Sequence, residues 1–289
     1  MPTSGLLVLA ARIIRLYLRE FPFVPGKAFV WDRIVRPYIA WRDIPVVADT
    51  TFGVVFTGNM RNLIDRYLYL FGNWEPGISA ALRWHLRPGD HVIDIGANIG
   101  AHCLLAARLV GPDGLVHAIE ASPTIFARLN ANIRRNGFTQ VRPVNIAVSD
   151  RTGTVKVYLH AEDNLGATTV IAEEAALRGA TVEAEVAAEP LDRIIAPEEI
   201  RLTRLVKIDV EGAEWLVLDG MRPLLGAFPD DCMIIIEVNR DALDRNQIGF
   251  SGVLAMMREA GWLPLEIINS YHPDFYLRPT GPVVRPLTD

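Results

Sequence analysis

Between residues 91 and 238 the chain alternates short, near-continuous apolar runs with stretches of helical periodicity. Five runs stand out: HVIDI (91–95), GLVHAIE (114–120), VRPVNIAV (141–148), RLVKIDV (204–210) and MIIIEV (233–238). Bounded, β-rich and apolar on both faces, they predict buried parallel strands. AHCLLAARLV and SPTIFARLNANIRRNG between them carry helical spacing, with Ser122 as N-cap, Pro123 at the first helical position and Asn136-Gly137 as the stop. Strand, helix, strand at this spacing predicts an α/β fold with a doubly wound, Rossmann-like sheet of mostly parallel strands. After the fifth run, WLPLEIIN and DFYLRPT predict an antiparallel C-terminal strand pair.

Three parts follow from this pattern: an N-terminal helical extension (1–85), a core (86–240) and a C-terminal part completing the sheet (241–289). Within the core, GTVKVYLH and TVEAEVAAEPLDRII predict extra strands around the loop AEDNLGATTV, an excursion (151–200) long enough to serve as a lid. Upstream, RNLIDRYLYLFGNWEP predicts a helix ending at Gly72, followed by a second helix, GISAALRWHL. GLLVLAARIIRLYLRE predicts an amphipathic helix: at about 100° per residue, Arg12, Arg15 and Arg19 share a narrow face and Leu6, Ile13, Ile14, Tyr17 and Leu18 the broad opposite one. Its unbroken apolar stretch falls far short of the ~20 residues a membrane span requires, and no secretory cleavage signature is evident. The expectation is a cytoplasmic protein in which residues 6–19 dock on their own domain or a partner subunit, or touch the inner face of a membrane peripherally.

Composition narrows the partners. The 289 residues are half hydrophobic, and a net charge of −5 (pI about 5.7) argues against nucleic acid. Cys103 and Cys232 are far apart, with no zinc spacing.

VIDIGANIG (92–100) ends the first predicted strand and opens a helix, the context in which such loops bind nucleotide-like ligands. Gly96 and Gly100 allow a sharp turn, and Asn98 tolerates a left-handed conformation. The GxGxxG dinucleotide fingerprint is not met. Asp94 would repel a pyrophosphate and attract an amino or sulfonium cation, which favours S-adenosyl-L-methionine over NAD. Glu120, 20 residues beyond Gly100 and followed by Ala121, is placed to accept bonds from a ribose, and can equally cap the next helix. Asn145, Ala147 and Asp150 close the third run, where an adenine would lie.

The motifs VIDIGANIG, AIEASP, VNIAVSD, LVKIDVEGAEWLVLDGM and IIIEVN, in that order, resemble the FkbM family of S-adenosylmethionine-dependent methyltransferases. The resemblance runs from about Leu68 to Asn239. It implies a class I methyltransferase fold and O-methylation of a sugar or secondary-metabolite hydroxyl. The small-molecule or glycan acceptor is read first as a saccharide or glycolipid, with a macrolide-like natural product as alternative. A nicotinamide oxidoreductase and a non-catalytic cofactor-binding module are the remaining readings.

KIDVEGAE then supplies the chemistry at a strand end: Asp209 as first candidate for proton acceptor, Lys207 on the same side to depress its pKa or bind the acceptor, and Glu211 beside Gly212. Glu211 and Glu214 can also be first-turn helix acids. No residue is assigned to a metal, although Asp209, Glu237 and Asn239 form an oxygen-rich set that a divalent cation could use. His160 and His272 are alternative bases, Asn164, Thr168 and Thr169 candidate acceptor contacts, and Trp74-Glu75 a candidate cover for the cofactor.

Overall fold

The computed structural model describes residues 5–21, 26–160, 168–237, 249–263, 265–267 and 284–286. Asn164, Asn239, His272 and the segment DFYLRPT lie outside the described residues. The chain divides into two compact units, one built mainly on residues 1–84 and the other on most of the remainder.

The first unit begins with α1 (Gly5–Glu20) and α2 (Lys27–Val30), which runs on into a π-type helical stretch, Trp31–Ile39. A hairpin of β1 (Pro45–Asp49) and β2 (Val55–Asn59) follows, then α3 (Leu63–Phe71) and α4 (Pro76–His85). In β1 the period of two is plain: Val46 and Ala48 are buried, while Val47 and Asp49 are exposed. α3 starts where the Asn62 side chain accepts the Asp65 N–H at 3.4 Å, and stops at Gly72, whose φ of 73° only glycine adopts freely.

The orientation of α1 differs from the expected one. The helix packs on α3 through Ala11 and Leu18, and two of its arginines turn inward. Arg15 reaches Asp49 at 3.2 Å and lies over the Tyr69 ring at 5.0 Å; Arg19 donates to the Asp49 carbonyl. Of the expected apolar face, Leu18 is buried and Ile14 and Tyr17 half-buried, but Leu6 and Ile13 are exposed; partners 30 or more residues away decide this, so helical periodicity alone places the inner face only in part.

The second unit is organised by a five-stranded parallel sheet in the order β10-β9-β3-β4-β5: Met233–Ile236, Thr203–Ile208, His91–Ile95, Leu115–Ile119 and Val141–Val144. α5 (Ala101–Val110) links β3 to β4, and α6 (Pro123–Asn136) links β4 to β5. α6 carries the predicted caps: Ser122 Oγ accepts the Ile125 N–H at 3.2 Å, and Gly137 has φ 68°. Ile93, Ile95, Ile119, Val206 and Ile208 form the buried centre of the sheet, with Val217 and Leu218 of α10 (Glu214–Met221) in the same core. Each such side chain contributes about 2 kcal/mol by leaving water.

The run 141–148 is two strands, not one. β5 ends at Val144, and β6 (Ala147–Val148) joins a second sheet, β6-β8-β7, with β7 (Gly153–Leu159) and β8 (Thr181–Glu189). The break comes at Asn145, whose amide donates to the carbonyls of Glu120 and Ala121 at 2.8 and 2.9 Å and pulls the chain off the sheet. The excursion contains α7 (Ala172–Arg178), and the short α8 (Leu191–Ile194) and α9 (Pro197–Ile200) lead back to β9. Beyond β10 come α11 (Phe250–Glu259) and two short strands, β11 (Leu265–Ile267) and β12 (Val284–Pro286), paired in a sheet of their own. Among the described residues, the central sheet therefore ends at β10.

Candidate active site

The strand order reverses between β3 and β9: β3, β4 and β5 step one way, β9 and β10 the other. In doubly wound sheets ligands bind beyond the strand ends at this switch point. The two loops that leave it, 96–100 and 209–212, are tied together. Asp209 N–H donates to the Ile95 carbonyl at 3.0 Å, and a Cβ on Gly96 would stand 1.8 Å from the Asp209 carbonyl oxygen. With φ at 80°, position 96 accepts only glycine. Asn98 takes the left-handed conformation (φ 51°), and Gly100 has φ 99°.

Glu120 holds this loop from the neighbouring strand. Its carboxylate accepts the Asn98 N–H at 2.9 Å and the Ser122 N–H at 2.8 Å, one on each oxygen. Burial pushes its pKa up to about 7 against those two bonds. Four lone-pair sites leave room for further donors such as ribose hydroxyls. Asn132 of α6, absent from the motif reading, donates to the Ile99 carbonyl at 2.9 Å and fixes the far side of the loop. Glu183 of β8 was also missed: it accepts from Ser122 Oγ at 2.7 Å and Thr124 N–H at 2.8 Å.

A charged line crosses the switch point. Asp94 on β3 is in register with Lys207 on β9. Lys207 Nζ lies 2.9 Å from Asp209 Oδ2 but 3.6 Å from Asp94 Oδ1. Both Asp94 oxygens are buried without a hydrogen bond of normal geometry. Burial raises the Asp94 pKa, and Lys207 opposes the rise. A buried carboxylate left this way needs a donor, and a cationic ligand supplies one. This fits the α-amino and sulfonium end of S-adenosylmethionine.

The acidic groups of the second loop separate by environment. Burial works to raise Asp209, but the Lys207 cation and a bond with Glu237 hold it down to about 2. Burial and the Asp209 charge push Glu211 up to about 7, against an ion pair with Arg178 at 2.6 Å. Glu211 sits at φ 55° outside any helix, so it is not a first-turn acid. Glu214 heads α10 and bends back to accept the N–H groups of Val210 and Gly212, both at 3.1 Å, which makes it the brace of the turn. Asp209, Glu211 and Glu237 each place a carboxylate oxygen within 4.8 Å of the others.

The remaining expected residues have these surroundings. Ala147 is buried in the second sheet. Thr169 is buried and bonded through its backbone to Tyr158 at 2.8 and 3.1 Å. Glu75, buried with φ 44° just ahead of α4, belongs with Trp74 to the first unit. Arg178 was not singled out, although Glu173 and Glu174 followed by Gly179 are readable helix start and stop signals around it.

The chain is similar to known methyltransferases. The chain is 33% identical over 160 residues to 31-O-demethyl-FK506 methyltransferase FkbM of Streptomyces tacrolimicus, covering 47% of this chain and 61% of that protein. A shorter match, 38% identical over 56 residues, is to protein-L-isoaspartate O-methyltransferase of Ignicoccus hospitalis, covering 19% of this chain and 26% of that one. The chain thus spans less than two thirds of the curated relatives it matches. A crystal structure of a SAM-dependent O-methyltransferase from Thermotoga maritima aligns at 17% identity with a TM-score of 0.41, covering 78% of this chain and 66% of that one. Residues 94–263, more than half the chain, match the methyltransferase FkbM domain, and the protein belongs to that family.

Proposed function

We propose that the chain is an S-adenosylmethionine-dependent O-methyltransferase acting on a hydroxyl of a small, oxygen-rich acceptor. The similarity to the Streptomyces enzyme favours a natural-product hydroxyl over the saccharide hydroxyl that the motifs put first. The observation that carries the reading is the buried Asp94 carboxylate, short of a hydrogen-bond donor at the switch point, beside a loop that Gly96 lets pack against the Asp209 backbone. When bound, S-adenosylmethionine supplies a methyl group on a sulfonium, a good leaving group. Asp94 holds the cationic end, Glu120 takes ribose hydroxyls, and Asn145, exposed at the end of β5, keeps its amide oxygen for the base.

On the acceptor side the proton must leave the attacking oxygen, and the ideal base has a pKa near the working pH. Asp209, held to about 2, is a weak base; Glu211, near 7, is the matched one. Lys207 keeps Asp209 ionised, and the fixed Asp209 charge raises Glu211. Arg178 orients the Glu211 carboxylate through their ion pair. In the alternative reading, Asp209, Glu211 and Glu237 share a divalent cation that acidifies the hydroxyl, favoured by their mutual spacing. Activity abolished by a chelator and restored by Mg²⁺ would select it.

Isothermal titration with S-adenosylmethionine, NAD and NADP tests the cofactor first. Saturable binding of S-adenosylmethionine alone is expected, followed by methyl transfer in a screen of hydroxylated natural products and sugars. Binding of a nicotinamide nucleotide instead overturns the reading.

A further inference from the structure

The apolar residues left exposed concentrate in the first unit. On α1, Leu6 (77% exposed), Leu9, Ile13 (58%) and Leu16 recur at spacings of three and four and form one outward stripe along a helix about 24 Å long. The inner side is occupied by Ala11, Leu18 and the Arg15–Asp49 pair, so the stripe is not the face that docks on its own unit. Phe29, Tyr38 and Trp41 are also more than half exposed. No helix among the described residues is long and apolar enough to cross a membrane.

Charge identifies the occupant. Residues 5–42 hold seven of the chain's 29 basic residues and two of its 34 acidic ones, although the whole chain is negative. Arg12, Arg33, Arg36 and Arg42 are exposed. Two copies meeting stripe to stripe would bring like charges together, whereas an anionic surface complements them. A basic helix with an apolar stripe, and aromatic residues nearby, lies in the headgroup region of a bilayer.

We propose that the outward stripe of α1 and the exposed arginines of residues 5–42 dock the protein on the surface of an anionic lipid bilayer. Leu6, Leu9, Ile13 and Leu16 enter the acyl boundary while the arginines contact lipid phosphates. The site is independent of the methyl-transfer residues.

Cosedimentation of the full chain with phosphatidylcholine vesicles, with and without phosphatidylglycerol, tests it. Binding is expected to the anionic vesicles, falling several-fold as salt rises from about 0.1 to about 0.5 M. The double substitution Leu9→Glu and Ile13→Glu should lower the partition coefficient by about tenfold or more, since each leucine or isoleucine methylene contributes ~0.8 kcal/mol at the boundary. Both residues are exposed, and unchanged S-adenosylmethionine affinity in that variant verifies the fold. Failure of the wild-type chain to bind either vesicle, or equal binding by the variant, overturns the proposal. So does a wild-type dimer in sedimentation velocity that the double substitution dissociates, because the stripe then belongs to a second copy.

Discussion

Two clusters of charge sit on the same five strands, and they are built to opposite ends. At the carboxyl ends Asp94 and Glu120 are buried and Glu211 is half-buried, all three with raised pKa values, and the Asp94 oxygens have no hydrogen bond of normal geometry. At the amino-terminal edge Glu199 of α9 pairs with Arg142 of β5 and lies 3.2 Å from His117 of β4. Burial works to raise Glu199, but Arg142 and His117 together hold it below its ordinary value. The first end carries acids that burial raises, as binding sites often do; at the second the carboxylate is lowered by its basic partners. The difference predicts loss of function from substitutions at the first cluster and small losses of stability at the second.

The sharpest break is Asp94→Ala. Removing the buried carboxylate takes away the charge that holds a cationic ligand, and S-adenosylmethionine affinity should fall by about 100-fold or more, as for a charged hydrogen-bonding group. Calorimetry beside circular dichroism checks this. Near wild-type affinity in a folded variant would place the pocket elsewhere.

Glu211→Gln comes next. With cofactor affinity kept within a few-fold, turnover should drop by the ~10² to 10⁴ of a lost general base. The wild-type rate should rise with pH through about 7 and level off above, because Glu211 accepts a proton only when ionised. The variant should lack this limb. A limb that survives the substitution assigns it to another group.

Asp209→Asn separates the two acids. Its negative charge raises Glu211, so its removal should lower the Glu211 pKa and move the acidic limb to lower pH. The cost in turnover should be about tenfold, below that of Glu211→Gln. If activity instead vanishes at every pH, Asp209 is the base, as its place in KIDVEGAE first indicated.

The proposed exchange of roles between Asp209 and Glu211 marks what a sequence carries and what it does not. β3, β4, β9 and β10 were legible because strands buried on both faces must be apolar throughout, and α6 because Ser122, Pro123 and Gly137 are local signals. The turn at 96–100 was legible for a related reason: a left-handed conformation and a backbone contact restrict residue type. The division of labour between Asp209 and Glu211 was not, since it depends on Arg178, 33 residues away on the excursion, and on Lys207 lying closer to one carboxylate than to the other. The end of β5 at Asn145 and the inward arginines of α1 were hidden likewise, both decided by partners distant in sequence.

The smallest effect is expected at the opposite edge. Glu199→Gln removes a carboxylate whose folded pKa is depressed, so its stabilisation is present above the unfolded value near 4.5 and fades as pH falls through the folded one. His117 is pushed down by burial and is neutral at pH 7, which leaves Arg142, itself more than half exposed, as the charged partner. Such a pair contributes about 1 kcal/mol or less. The variant should therefore melt a few degrees lower at pH 7, converge on wild type once pH falls below the depressed folded value, and bind S-adenosylmethionine and turn over unchanged. A loss of activity larger than the loss of stability would mean that the two ends of the sheet are coupled, and that the amino-terminal cluster is more than a fastening for α9.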